Sequence, residues 1–395
     1  MLSCREQFSY LTDSDLIYLD NAATSQLPIS VLNAQQQYWQ YAHANAHRGA
    51  HQRARSATEA WERCRQTAAT FIGANAADVS LQTSTTQALN HLALMLAEQQ
   101  PDLRKIVVSA AEHHANWLPW QYLAQRCGAE FVVLPVAVES GEIQQWQQLI
   151  DSDTDLVAIT HVSNVSGVIN PVEEICRHAH KQGARVIVDA AQSAAHLALD
   201  VDQLQCDALV FSAHKVYAPV GVAVMYLAAD WWPQLTPQIR GGGMVAQVTP
   251  FSASWLPDIH RFEAGTPNVA AAVGLTNALQ WFAEQAPHQA QVEQSFNWLQ
   301  QQLAQRPWLQ RVAANTSRRI PLLSLYCESI HSQDLAFMLD EAGIAVRAGQ
   351  HCAQPLLQQL GLSSVVRLSW GLNNRDDDMQ RVVDALDQAY QLFIE

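Results

Sequence analysis

Positive charge is scarce in this sequence: 23 Lys and Arg stand against 37 Asp and Glu, for a formal charge of -14 and a pI near 5.4. That balance argues against nucleic acid or an anionic membrane surface as the main partner. No apolar run approaches the length of a bilayer crossing, and Met1-Leu2-Ser3-Cys4-Arg5-Glu6 carries no basic stretch leading into an apolar one, so a soluble, cytoplasmic protein that is not exported is expected. The seven cysteines are odd in number, scattered, and include no C-x-x-C, which supports neither a disulfide framework nor a zinc knuckle. The fifteen histidines fall into no metal-ligand spacing, and no metal site is expected. Internal repeats and low-complexity linkers are missing too, so the chain should be compact throughout. At 395 residues and 49% hydrophobic it can bury a large core, in two or three domains.

What is present is a series of short apolar runs, each ending on polar residues. Val186-Ile187-Val188 ends on Asp189 and leads to Gln192; Ala208-Leu209-Val210-Phe211 ends on Ser212-Ala213-His214-Lys215. Runs of this length and composition read as buried parallel strands, whose C-terminal ends are where open α/β sheets bind ligands. A lysine amine forms a Schiff base with a carbonyl cofactor, and pyridoxal phosphate wants that lysine together with an acid for its pyridine nitrogen. Taken singly, Asp189 could equally cap a helix and Lys215 lie on the surface.

Other strand ends add to the pattern. Val79 to Gln82 is followed by Thr83-Ser84-Thr85-Thr86 at the start of a helix from Gln87 to Glu98, a place for a phosphate or a plain N-cap. Ile106-Val107-Val108 leads to Glu112-His113-His114-Ala115-Asn116, where an imidazole could stack on a ring and exchange protons with it, or serve only a structural end. Leu156 to Ile159 leads to His161-Val162-Ser163-Asn164, with an amide for a ring oxygen. The strand Leu16 to Leu19 runs into a small-residue turn, Asp20 to Thr24, and a histidine-bearing loop, Asn45 to His51, precedes a long helix from about Ser56 to Phe71. Strands alternating with helices imply a mainly parallel sheet with helices on both faces, with Val222 to Leu227 antiparallel at one side.

After the glycine-rich stretch Arg240 to Met244 and the segment Arg261 to Asn268, the order becomes strand, helix, strand, loop, strand, helix, which reads as a smaller α+β domain. Its loop, Arg347-Ala348-Gly349-Gln350-His351-Cys352-Ala353-Gln354-Pro355, holds a cysteine whose thiolate Arg347 and His351 could favour, making it a nucleophile rather than a buried apolar residue. Arg367, if buried, needs a partner; a substrate carboxylate gripped by two N–H bonds suits it.

These residues together resemble the pyridoxal-phosphate cysteine desulfurases of the SufS and CsdA type over nearly the whole chain. The match rests on Glu112 to Asn116, His161 to Asn164, Val188 to Gln192, Ser212 to Lys215, Phe262 to Asn268 and Arg347 to Pro355, the last resembling the CsdA, or cysteine sulfinate desulfinase, branch. Departures are mild: Ala190 and Ala213 stand where glycine is common, and Val220 where threonine is. The resemblance implies an α/β fold, a fold-type I enzyme with a large domain (21–285) built on a mainly parallel seven-stranded sheet. A smaller C-terminal α+β domain (286–395) carries the Cys352 loop, and an N-terminal segment (1–20) packs with it. It implies a homodimer in which Lys215 binds the cofactor, Asp189 keeps the pyridine nitrogen protonated and His113 stacks on the ring. Gln192 and Asn164 then face the ring oxygen, and Thr85, Thr86, Ser212, His214 and the partner's Thr266 hold the phosphate. Arg367, with Asn164 and Arg347, binds the substrate. Cys352 takes sulfur from L-cysteine as a persulfide, leaving L-alanine, and a SufE-like protein accepts it; selenocysteine and cysteine sulfinate are further substrates. An aminotransferase or kynureninase-like lyase would share Asp189 and Lys215 without needing Cys352, and a silent scaffold of the same fold would need none of them.

Overall fold

The computed structural model describes residues 4–12, 14–47 and 49–394; Arg48 of the histidine-bearing loop and residues 1–3 of the N-terminal segment lie outside the described residues. Its centre is a sheet of seven strands: β1 (Val79–Gln82), β2 (Lys105–Ser109), β3 (Glu130–Leu134), β4 (Leu156–Thr160), β5 (Arg185–Asp189), β6 (Ala208–Ser212) and β7 (Ala223–Leu227). Their spatial order is β1-β7-β6-β5-β4-β2-β3. The pairs β2–β3, β2–β4, β4–β5 and β5–β6 are parallel, whereas β7 runs antiparallel to both of its neighbours. β7 therefore lies inside the sheet, not at its side as the sequence reading had it, and β1 forms the edge. The reason is chain length: the connection 213–222 is shorter than the dozen or more residues that a parallel crossover needs, so the chain turns back beside β6.

Every position of β2, β4 and β6 is buried, which is why these strands read as unbroken apolar runs. Successive side chains enter different cores. Val186, Val188, Leu209 and Phe211 pack with α1 (Gln52–Phe71), while Ile187, Ala208 and Val210 pack with α2 (Thr85–Gln99) and α3 (Leu118–Cys127). Each fully buried Val, Ile or Phe contributes roughly 1.5–3 kcal/mol, so the period-two pattern fixes the register. Helix α1 starts four residues before the expected Ser56, because the His51 ring accepts a hydrogen bond from the Ala54 amide and caps it. Beyond α4 (Val172–Gln182), the glycine-rich stretch continues into an exposed hairpin, Val245–Val248 with Ala253–Trp255, which has no burial pattern to betray it.

After α5 (Val269–Ala283) and α6 (Ala286–Ala304) comes a second sheet of β8 (Gln310–Arg311), β9 (Leu322–Tyr326), β10 (Arg347–Gly349) and β11 (Val365–Ser369), in the order β8-β9-β11-β10. With α6, α7 (Ser332–Glu341) and, beyond the short α8 (Gln354–Gln359), α9 (Asp378–Ile394), it encloses a third core that Ile17 and Leu19 also enter. Val366 and Leu368 of β11 face that core. The same alternation sends Val365 into the core of the large sheet and leaves Arg367 and Ser369 on its side. No helix among the described residues is long and apolar enough to cross a membrane.

Candidate active site

Because β5 and β6 are parallel neighbours, their C-terminal ends deliver Asp189 and Lys215 to one place. Both line a single cavity of about 230 Å³. Asp189 is buried, with Oδ1 accepting from the Ala191 amide at 2.9 Å; burial raises its pKa, and the amide and Lys215 oppose that rise. Lys215 is presented by a short 3-10 turn, Ala213–Lys215. Burial lowers the pKa of its amine to about 8; Asp189 acts against this, and Arg367 and Arg347 with it. At neutral pH roughly a tenth of the amine is therefore unprotonated, enough to serve as nucleophile or base.

The loop after β2 brings His113 to the same cavity. Its Nδ1 accepts from the Ala115 amide at 3.0 Å, so the proton of the neutral ring sits on Nε2. Burial first, then the charge of Lys215, holds its pKa down at about 4. The loop is braced by Glu112, quoted in the sequence motif but given no role there. This fully buried carboxyl accepts from Ser109 Oγ (2.5 Å), Asn116 Nδ2 (2.6 Å) and the Thr160 amide (2.9 Å), and burial raises its pKa to about 8.

The edge strand β1 feeds α2, whose first turn places Thr85 and Thr86 on the cavity wall. Thr85 is tied to Ser212 twice, by its amide and by its hydroxyl, each at 2.8 Å. His214 lines the wall beside them, neutral because burial lowers its pKa to about 4. Beyond β4, Asn164 donates to the His351 carbonyl at 2.8 Å and leaves Oδ1 buried without a partner. Gln192 donates to the Ala22 carbonyl at 2.9 Å.

The smaller sheet closes the cavity with Arg347, His351, Cys352 and Arg367. His351 and Cys352 both have left-handed backbone, φ 52° and 53°, which only surrounding structure can impose on such residues. Here the Cys352 carbonyl accepts from the His114 amide at 2.7 Å, and His351 is buried with Nε2 3.2 Å from the Val365 carbonyl. The Cys352 side chain stays exposed at the cavity mouth. One expectation needs correction: His351 cannot supply positive charge to the thiol, because burial and Arg367 push its pKa down to about 3. A second concerns Arg367. It does not wait for a substrate to be paired, since Nη1 donates to the Asn164 carbonyl at 3.0 Å and Nη2 meets Asp20 at 3.1 Å; Nε alone is left buried without a partner.

Twelve of the thirteen expected residues thus share one cavity. Thr266 does not: it is exposed on the loop after Glu263 and lines no part of this wall. That loop is held by a buried ion pair, Glu263 with Arg65 at 2.5 Å. Ala190 and Ala213 are buried on ordinary backbone, with no left-handed conformation calling for the glycine common there.

Residues 17–382 match the family model for aminotransferase class-V. The chain belongs to the aminotransferase class-V family. It is similar to the cysteine desulfurase of Dickeya dadantii, 37% identical over 96% of this chain and 93% of that one. Among solved structures it is similar to an apo cysteine desulfurase from Thermococcus onnurineus NA1, with a TM-score of 0.93 at 32% identity, covering 98% of this chain and 96% of the other. It is likewise similar to the cysteine desulfurase CsdA of Escherichia coli, with a TM-score of 0.90 at 34% identity and 98% of each chain covered.

Class-V aminotransferases are pyridoxal-phosphate enzymes, and the cavity can be tested for that cofactor from its own atoms. A half-buried amine, a buried carboxyl beside it, an orphaned amide oxygen on Asn164, and hydroxyls at the N-terminus of a fifteen-residue helix fit an aldehyde, a pyridine nitrogen, a ring hydroxyl and a phosphate in turn.

Proposed function

We propose that this protein is a cysteine desulfurase, transferring sulfur from L-cysteine to Cys352 and releasing L-alanine. What carries the reading is one juxtaposition: an exposed thiol at the mouth of the cavity whose floor holds Lys215 and Asp189. An aminotransferase or a lyase acting on carbon has no use for that thiol.

In this reading Lys215 holds the cofactor, Asp189 pairs with its pyridine nitrogen, His113 covers the ring, and Gln192 and Asn164 face its ring oxygen. Thr85, Thr86, Ser212 and His214 hold the phosphate. Pyridoxal phosphate, when bound, would supply an electron sink, reached through the substrate's amino nitrogen, for the charge that develops at Cα and Cβ. Arg367 offers its unpaired Nε–H to the α-carboxylate, with Arg347 at the rim. Lys215, part of it neutral at physiological pH, takes the Cα proton. His113, neutral with its proton on Nε2, exchanges a proton at the substrate sulfur. The Cys352 sulfur then attacks that sulfur: an S–S bond forms, the Cβ–S bond breaks, and its electron pair stays on Cβ, which takes up a proton to become the methyl of alanine, while the proton removed by Lys215 returns to Cα. Cysteine and enzyme thiol thus become alanine and enzyme persulfide with no outside oxidant.

The same reading packs an N-terminal segment, 1–20, with a small domain at 286–395, beside the large one at 21–285. It makes the enzyme a cytoplasmic homodimer whose Thr266 reaches the partner's phosphate site, and gives it a SufE-like acceptor and selenocysteine and cysteine sulfinate as further substrates. The test is Cys352→Ala. The variant should keep its yellow colour, lose alanine and protein-bound persulfide from L-cysteine, and still release alanine from cysteine sulfinate, which needs no thiol acceptor. Undiminished turnover of L-cysteine would overturn the proposal. Adding a SufE-type protein to the native enzyme tests the acceptor by the rise in alanine.

A further inference from the structure

Arg347 and Arg367 stand directly opposite each other on the antiparallel pair β10–β11. Like charges so placed destabilise a sheet, and both guanidinium groups line the cavity, Arg367 buried and Arg347 half-exposed at its rim. Asp20 makes the pair tolerable. Its Oδ2 lies 3.1 Å from Nε and Nη2 of Arg347, and its Oδ1 lies 3.1 Å from Nη2 of Arg367. The carboxylate is fixed by its backbone: Asp20 bridges Ser369 of β11, the Ser369 amide donates to the Leu19 carbonyl at 2.7 Å, and the Ala22 amide donates to Ser369 Oγ at 2.9 Å. Arg347, Arg367 and Asp20 together therefore carry one net positive charge where the two arginines alone would carry two.

We propose that Asp20 is a positioning residue that sets which substrate charge the site accepts. By neutralising one arginine it favours an amino acid with a single carboxylate and an uncharged β-substituent, and disfavours one with a second anionic group such as a sulfinate. The inference rests on the amino-acid site described under Proposed function. A second anion on a substrate held at Arg367 in this cavity of about 230 Å³ feels the summed charge of Arg367, Arg347 and Asp20, screened in part because Arg347 is half-exposed.

The test uses the holoenzyme. Asp20→Asn removes the anion and Arg347→Gln removes one cation. For each, kcat and KM are measured as alanine released from L-cysteine and from L-cysteine sulfinate, and affinities for L-alanine and L-aspartate are measured by absorbance titration. Asp20→Asn should raise the sulfinate-to-cysteine ratio of kcat/KM about tenfold, mainly through KM, and less so at high salt; the aspartate-to-alanine affinity ratio should rise with it. Arg347→Gln should move both ratios the other way, and decides the matter alone if Asp20→Asn does not fold. Ratios within twofold of the native enzyme, or shifts in the same direction for both variants, would overturn the inference. A native enzyme that releases no alanine from either amino acid would refute the desulfurase reading, while the aspartate-to-alanine affinities would still decide the role of Asp20.

Discussion

The lowered pKa of Lys215 can be read directly in how fast the protein binds its cofactor. Only an unprotonated amine attacks an aldehyde. With its pKa held at about 8 by burial, Lys215 is about 10% neutral at pH 7, against about 0.03% for a lysine at its ordinary 10.5, an advantage of roughly 300-fold. Apoprotein mixed rapidly with pyridoxal phosphate should therefore bind it at a rate that climbs about tenfold per pH unit below 8 and levels off above. His113, His214 and His351 stay neutral throughout that range, with values at about 4, 4 and 3, and cannot produce the inflection. Asp189 is the carboxyl that raises the amine's pKa, so Asp189→Asn should move the inflection to lower pH. A rate that goes on climbing through pH 10 would refute the reasoning, because it would mean that the amine is solvated like any surface lysine.

Three further outcomes are expected. Glu263→Leu should cost about 1–3 kcal/mol in urea denaturation, because it removes the buried carboxylate from Arg65, which keeps Glu62 at 2.9 Å, and leaves buried donors without an acceptor. The double variant with Arg65→Met should recover only part of this, since the Leu81 amide and Trp61 Nε1 also donate to Glu263; a single-variant loss below about 1 kcal/mol would contradict the account. Cys352→Gly and Cys352→Ala should both be inactive on L-cysteine, yet the glycine variant should be more stable than the alanine one by about 1 kcal/mol, because only glycine adopts φ near 53° without strain; equal stability would mean that the loop relaxes. For Glu112 the folded pKa, about 8, lies above the ordinary 4.5, so its contribution to stability is full below pH 4.5 and is lost as pH rises through 8. Glu112→Gln should flatten that part of the pH–stability curve, and an unchanged slope would show that the carboxyl does not titrate there.

Much of the site was legible because open parallel sheets put ligands at strand ends, and strand ends can be read from a row of letters. Asp189, Lys215, His113, Asn164 and Thr85 each follow a buried apolar run, and parallel pairing then forces those ends together. Asp20 also follows an apolar run, Leu16 to Leu19, but its turn of small residues looked like a local feature and its partners lie more than 300 residues away. Glu112 was hidden beside the two histidines that drew the eye. The exposed hairpin at Val245–Trp255 left no trace, since strands that bury nothing carry no pattern.

The sequence by itself determined the chemistry available: a lysine, an acid, an imidazole and a thiol at the tips of predictable elements, with the alternation that makes the sheet parallel. Tertiary structure decided the charge each of them bears and the company each keeps. It made Lys215 a weaker base by burial, left His351 uncharged, and bound both arginines to a carboxylate from the other end of the chain. The physical reason is that residue type sets a group's intrinsic proton affinity, whereas solvation and the field of neighbouring charges, which shift it, exist only once distant segments have packed together.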